Sequence, residues 1–163
     1  MMEWFSTLSL ALGTAWTSGS NLYATISVLG LLQKFGSVKL PGGLYLVEFF
    51  ADKIPYVDSV WDVVHTFIRV PAGAIVAYAA VSDMDPSISI SAALVGGTLA
   101  FSSHGTKAAA RIGANLSPEP ISNWVLSLFE DVLVIGGVLL AVFAPVAIAV
   151  VLIIFILFFF RFF

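Results

Sequence analysis

The sequence predicts an all-α fold: a polytopic membrane helix bundle of about five spans, with two weak internal repeats and helices that are interrupted or re-entrant. Three observations carry this. Of 163 residues, 60% are hydrophobic and only 10% are charged, where a soluble domain averages about 25% charged. Apolar stretches recur along the chain at close to the length of about 20 residues that crosses a bilayer. The few ionisable residues inside them fall at helical spacing. Residues 1–163 read as a single transmembrane domain, with a first repeat over about 4–81, a second over about 86–143 and an extra C-terminal span at 146–160.

The first apolar segment, residues 4–32, is broken by Thr17, Ser18, Gly19, Ser20 and Asn21. A polar, glycine-containing patch in mid-segment predicts a bend, a broken helix or a re-entrant tip. Met1, Met2, Glu3 and Trp4 lack the positive start of a signal peptide, so the segment is kept as a span. A loop with Pro41, Gly42 and Gly43 follows, then residues 44–50, too short to span and suited to the interface.

The second span, residues 57–81, contains Pro71 and Gly73, which predict a kink or a close backbone approach. An acidic turn with Asp83 and Asp85 leads to the third span, which starts near Ile88 and is interrupted at Ser102, Ser103, His104, Gly105 and Thr106. After a loop at residues 117–120, Ser122 is the expected N-cap of the fourth span, and Pro145 separates that span from a phenylalanine-rich fifth. The fifth is apolar all round and reads as a lipid-facing anchor.

Two features suggest duplicated halves. Pro55, Ser59, Trp61 and Gly73 match Pro118, Ser122, Trp124 and Gly136 at one constant offset of 63 residues. Gly19, Ser20 and Ala24 match Gly105, Thr106 and Ala110 at an offset of 86. Duplicated halves with interrupted helices are a pattern of transporters, which place their site at the repeat interface.

The candidate site follows from the charges. Asp58, Asp62, His65 and Arg69 lie at i, i+4, i+7 and i+11 of the second span, one face of a helix. Intramembrane charges are costly and mark proton relays, ion paths or substrate sites. Here they read either as a proton or ion path through His65, or as an internal ion-pair ladder of Asp58 or Asp62 with Arg69. Glu130 and Asp131 sit at a similar depth in the fourth span and read as proton carriers or as partners of Arg69, Lys107 or Arg111. His104, Lys107 and Arg111 suggest an anion site for a phosphate-bearing group, or cations meeting anionic lipid at the cytoplasmic end of a span.

A metal held by His65, His104, Asp62, Glu130 and Asp131 is chemically conceivable, though no characteristic ligand spacing is present. No cofactor and no catalytic residue is expected. The absence of cysteine excludes thiolate chemistry, and no basic tract suggests nucleic acid.

Lys34, Lys39, Lys53, Lys107, Arg111 and Arg161 can all be cytoplasmic if the N-terminus is outside, which also places Asp83 and Asp85 outside. The expectation is therefore a multi-pass protein of the bacterial inner membrane with a cytoplasmic C-terminus. Its partners would be membrane lipids and an anionic or phosphate-bearing substrate, in a homodimer. The leading function is a small transporter or lipid-carrier translocase. The alternatives are a metal-dependent membrane enzyme acting on lipid, and a scaffold with structural ion pairs.

The run Phe50, Ala51, Asp52, Lys53, Ile54, Pro55, Tyr56, Val57, Asp58, Ser59, Val60, Trp61, Asp62, with His65, Thr66 and Arg69, resembles the signature of a bacterial membrane family known as domain of unknown function 4126. A second block from Gly105 through Arg111, Asn115 and Ser117 to Glu130 and Asp131 is similar to the same family. The resemblance implies a small multi-span protein and brings no activity with it.

Overall fold

The computed structural model describes residues 2–34, 57–116 and 120–162, with side chains at 3–32, 66–116 and 121–162. The expected interfacial piece at residues 44–50, and the side chains of Asp58, Asp62 and His65, lie outside the described residues. The described residues form six helices: α1 (Met2–Ser20), α2 (Leu22–Lys34), α3 (Val57–Ala80), α4 (Pro86–Asn115), α5 (Pro120–Phe143) and α6 (Pro145–Phe162). Among the described residues there is no strand. The molecule is an all-helical membrane bundle.

Local chemistry sets the helix ends. Prolines open α4, α5 and α6, because the first helical position needs no N–H donor and suits the fixed proline φ. The fifth helix thus begins two residues before Ser122, which falls inside its first turn. Asp85 caps α4, accepting from the Ser87 backbone N–H at 2.8 Å. That amide and the Ser87 hydroxyl hold the exposed Asp85 carboxyl below the usual carboxylate range, the hydroxyl contributing most.

Among the described residues, three helices are long and apolar enough to cross a membrane: α4, α5 from Ile121 onward, and α6. The more polar α1 and the mixed α3 complete the bundle. Their composition follows from position. α1 is the central helix, packed against α3, α4, α5 and α6. From Gly13 to Gly19 it is buried on every side and needs no lipid-soluble surface there, and its Thr14, Thr17 and Ser18 are fully buried. Each hydroxyl is satisfied within the helix: Thr14 donates to the Leu10 carbonyl at 2.7 Å and Ser18 to the Ala15 carbonyl at 2.7 Å. By contrast α6 buries only Ile148 and Leu152 in full and shows most of its phenylalanines outward, as an anchor should.

Small residues let α1, α3 and α4 approach closely. A Cβ at Gly19 would overlap the Ala100 backbone, one at Gly73 the Ala100 methyl, and one at Gly96 the Ala77 methyl. Close approach through small side chains is how membrane helices gain van der Waals energy without a hydrophobic drive. Ala11, Ala15, Ala77, Val81 and Ala92 form an apolar cluster toward the Asp83–Asp85 turn. A second cluster of Trp16, Leu99, Ala141, Ile148 and Leu152 fastens α6 to the bundle.

The two expected interruptions differ. At Asn21 the chain does break between α1 and α2, yet Asn21 N–H still reaches the Thr17 carbonyl and Thr25 N–H the Asn21 carbonyl. α2 then lies against α5 and the end of α1, so the break is a bend rather than a re-entrant tip. At Ser102–Thr106 there is no break. α4 runs unbroken for 30 residues, because Ser102 and Thr106 return their hydroxyls to the carbonyls of Thr98 and Ser102. Pro71 likewise leaves α3 continuous.

Candidate functional site

The buried face of α4 carries small residues in its first half, Ser89, Ala92, Gly96 and Ala100, and then His104, Lys107 and Arg111. The same helical spacing that packs the first half therefore delivers three basic side chains to the interior of the second half. Lys107 is 4% exposed and Arg111 1%. This overturns the reading of both as lipid contacts at a span end: they face α5 and the α1–α2 junction.

Their partners come from α5, whose inward row runs Asn123, Ser127, Glu130, Asp131, Val134 and Val138. Arg111 donates through Nη2 to Glu130 Oε2 at 2.7 Å and through Nε to Oε1 at 3.3 Å, a forked pairing that suits guanidinium and carboxylate. Lys107 Nζ stands 3.6 Å from the same Oε2. Adjacent helix residues point about 100° apart, so Asp131 turns elsewhere, to the Asn21 amide Nδ2 at 3.5 Å. Both carboxylates are buried, each facing a different helix.

The bend at Asn21 supplies a further acceptor. Ala24 N–H turns to the Asn21 side-chain oxygen at 2.7 Å. The Ser20 carbonyl, its usual helical partner, instead accepts from Lys107 Nζ at 3.2 Å. A side-chain amide thus opens one rung of the ladder, and the ammonium takes the carbonyl that is released.

Arg69 joins from α3 and is fully buried. Its Nη1 lies 3.0 Å from His104 Nδ1, and Thr66 Oγ1 lies 2.6 Å from His104 Nε2. Arginine can only donate, so Nδ1 accepts. The proton then sits on Nε2 and is donated to Thr66. This network fixes a neutral imidazole beside a guanidinium.

Of the nine expected site residues, Arg69, His104, Lys107, Arg111, Glu130 and Asp131 thus converge among the described side chains. Asp58, Asp62 and His65 are placed by backbone alone, on α3 N-terminal to Arg69. Sequence reading missed Asn21, Thr66 and the Ser20 carbonyl as participants. The interruption at Asn21 was the available signal; nothing distinguished Thr66 from the other hydroxyls of the spans. Among the described residues, no group of three His, Cys, Asp or Glu side chains gathers as metal ligands.

The fold and this interior define a helical membrane protein built around a buried cluster of opposite charges. The family described as "Domain of unknown function (DUF4126)" matches residues 42–163, and the chain belongs to it. No curated protein and no solved structure matches it.

Proposed function

We propose that the protein is a small carrier of the bacterial inner membrane that moves an anionic or phosphate-bearing solute or lipid carrier. In this reading Arg69, Lys107 and Arg111 meet the anion, Glu130 and Asp131 handle the coupling proton or ion, and Asp58, Asp62 and His65 extend the path along α3. The observation that supports it is the convergence of Lys107, Arg111 and Glu130 on the bend at Asn21 in the interior of the bundle. Intramembrane charges gathered at a broken helix are the usual setting of a transport site. A homodimer belongs to the proposal, since so few helices seldom enclose a pathway alone.

Proteoliposomes containing a pH-sensitive dye test it. Offered anions graded from inorganic phosphate to alkyl phosphates, the protein is expected to show anion-dependent proton flux, abolished by Glu130→Gln and by Lys107→Gln in folded protein. No flux with any anion of the series would sink the carrier reading.

The scaffold reading is favoured by one observation, the close match of Arg111 to Glu130 at 2.7 Å. It requires that the reversal Arg111→Glu with Glu130→Arg restore a folded, fully competent protein. A carrier tolerates the reversal in folding but loses flux.

A further inference from the structure

A crevice of about 210 Å³ opens between α4, α5 and α6 over the central helix α1. Its lining is mainly apolar, with Trp16 of α1, Phe129 and Leu133 of α5, and Phe155 and Phe158 of α6. Phe129 and Phe158 are 58% and 50% exposed, so these walls continue onto the lipid-facing surface. The ionised side chains of the lining are already engaged. Lys107 is paired with Glu130 and donates to the Ser20 carbonyl, and Glu130 accepts from Arg111. The hydroxyls of Ser103 and Thr106, which also line the crevice, donate to the carbonyls of Trp16 and Ser102.

The Trp16 side chain differs from these. It is 9% exposed, and its indole Nε1–H is a buried donor with no acceptor among the described residues. A Cβ at Gly137 of α5 would lie 3.3 Å from Cζ3 and 3.8 Å from Cε3 of the indole. The benzene edge therefore faces α5, and the opposite edge, which carries Nε1, turns to the side bounded by α4 and α6. Trp16 also lies deep in the membrane. It packs on Leu152, with its ring centroid 5.4 Å from that of Phe155, and both partners sit near the middle of the 18-residue α6. At 1.5 Å per residue Phe155 is about 15 Å from Pro145 along that helix, close to the midplane of a hydrocarbon core about 30 Å thick. The headgroups and ester carbonyls of bilayer lipids belong to the interface and do not reach this donor.

We propose that this crevice binds an uncharged, lipid-soluble carbonyl compound. Its carbonyl oxygen accepts from Trp16 Nε1, and its apolar body lies between the phenylalanines of α5 and α6. A plain hydrocarbon leaves the indole donor unmet, which is costly for a buried group. A charged head would have to enter the middle of the bilayer, where Lys107 and Glu130 already hold partners. A carbonyl on an apolar ring or chain satisfies both conditions and enters sideways from the hydrocarbon. Ring carbonyls of the quinone type and long-chain ketones share this chemistry, and the aromatic lining favours the flat ring. The ligand meets Trp16 rather than the ion pairs, so the site goes beyond the carrier reading and does not depend on it.

The indole N–H itself serves as the reporter. The protein, its four tryptophans labelled with nitrogen-15, is placed in nanodiscs of ether-linked phosphatidylcholine, a bilayer that contains no carbonyl. The signal lost in Trp16→Phe identifies the Trp16 N–H. The labelled protein is titrated with a decyl-substituted benzoquinone, a ketone of matching length, dodecylbenzene and dodecyl phosphate. A saturable downfield shift of the Trp16 N–H is expected with the quinone. Dodecylbenzene should compete at least about fivefold more weakly, having lost one hydrogen bond, and dodecyl phosphate should give no shift. Ala110 is exposed on the crevice wall, so Ala110→Phe fills the space at little risk to folding. It should abolish the shift while the ligand-free protein keeps all its indole signals. A shift with both carbonyl compounds supports the class as a whole, and a shift with one alone narrows it to rings or to chains. No shift with either, an equal shift with dodecylbenzene or dodecyl phosphate, or a shift untouched by Ala110→Phe overturns the proposal. None of these outcomes depends on flux in proteoliposomes, so the site and the carrier reading fail separately.

Discussion

Arg111 and Glu130 show at the scale of single residues why charges survive inside this bundle. Each alone would carry a desolvation penalty of several kcal/mol, which mutual attraction offsets only with good geometry. The forked contact supplies that geometry. Arg111→Met or Glu130→Gln should each therefore destabilise the protein by about 3–5 kcal/mol, because the surviving partner is left buried. The apolar pair Arg111→Met with Glu130→Leu should cost far less than the sum. Chemical denaturation in detergent micelles reads all three, and additive losses would mean that the two residues act independently. Much of this site was legible from residue type alone: a lysine, two arginines and two carboxylates inside apolar segments had to find one another. Asn21 and Thr66 were not legible as partners, since neutral polar side chains cost too little in a membrane to stand out from the many serines and threonines of α1.

At the scale of elements, α1 and α4 show what hydropathy patterns convey and what they conceal. The break between α1 and α2 was visible as a polar patch because Asn21 takes a backbone N–H that the helix would otherwise use. The similar patch at Ser102–Thr106 misleads, since its hydroxyls bond back to the preceding turn and leave α4 whole. Glycines carry the same ambiguity, and packing resolves it. A methyl at Gly19 would strike the Ala100 carbonyl oxygen and Cα, which are backbone and cannot give way, whereas one at Gly136 meets nothing within 4 Å. Gly19→Ala should accordingly cost about 1–3 kcal/mol or more by overpacking. Gly136→Ala should be neutral or stabilising by up to about 1 kcal/mol through helix propensity. Denaturation midpoints of the two variants give a direct comparison, and equal midpoints would show that α1 and α4 do not cross as closely as described.

For the whole molecule, the bundle has two unlike ends. The end near the Asp83–Asp85 turn is closed by four alanines and Val81, with Ser89 donating to the Val81 carbonyl and no charged side chain among them, while the charge cluster occupies the part of α4 that leads toward Asn115. Any path to the cluster from water must then run from the side opposite that turn, unless helices α1, α3 and α4 separate at their glycine contacts. Basic residues outside the bundle core follow the same polarity: Arg161 ends α6, and acidic residues alone occupy the α3–α4 turn. Since lysine and arginine are retained in the cytoplasm, the sealed end should face outward and the charged end inward. The chain contains no cysteine, so Asp83→Cys and Phe162→Cys each introduce a unique thiol at opposite ends. A membrane-impermeant maleimide added to intact cells should label the first and reach the second only after permeabilisation. The reverse pattern would turn the molecule over, opening its charge cluster toward the outside.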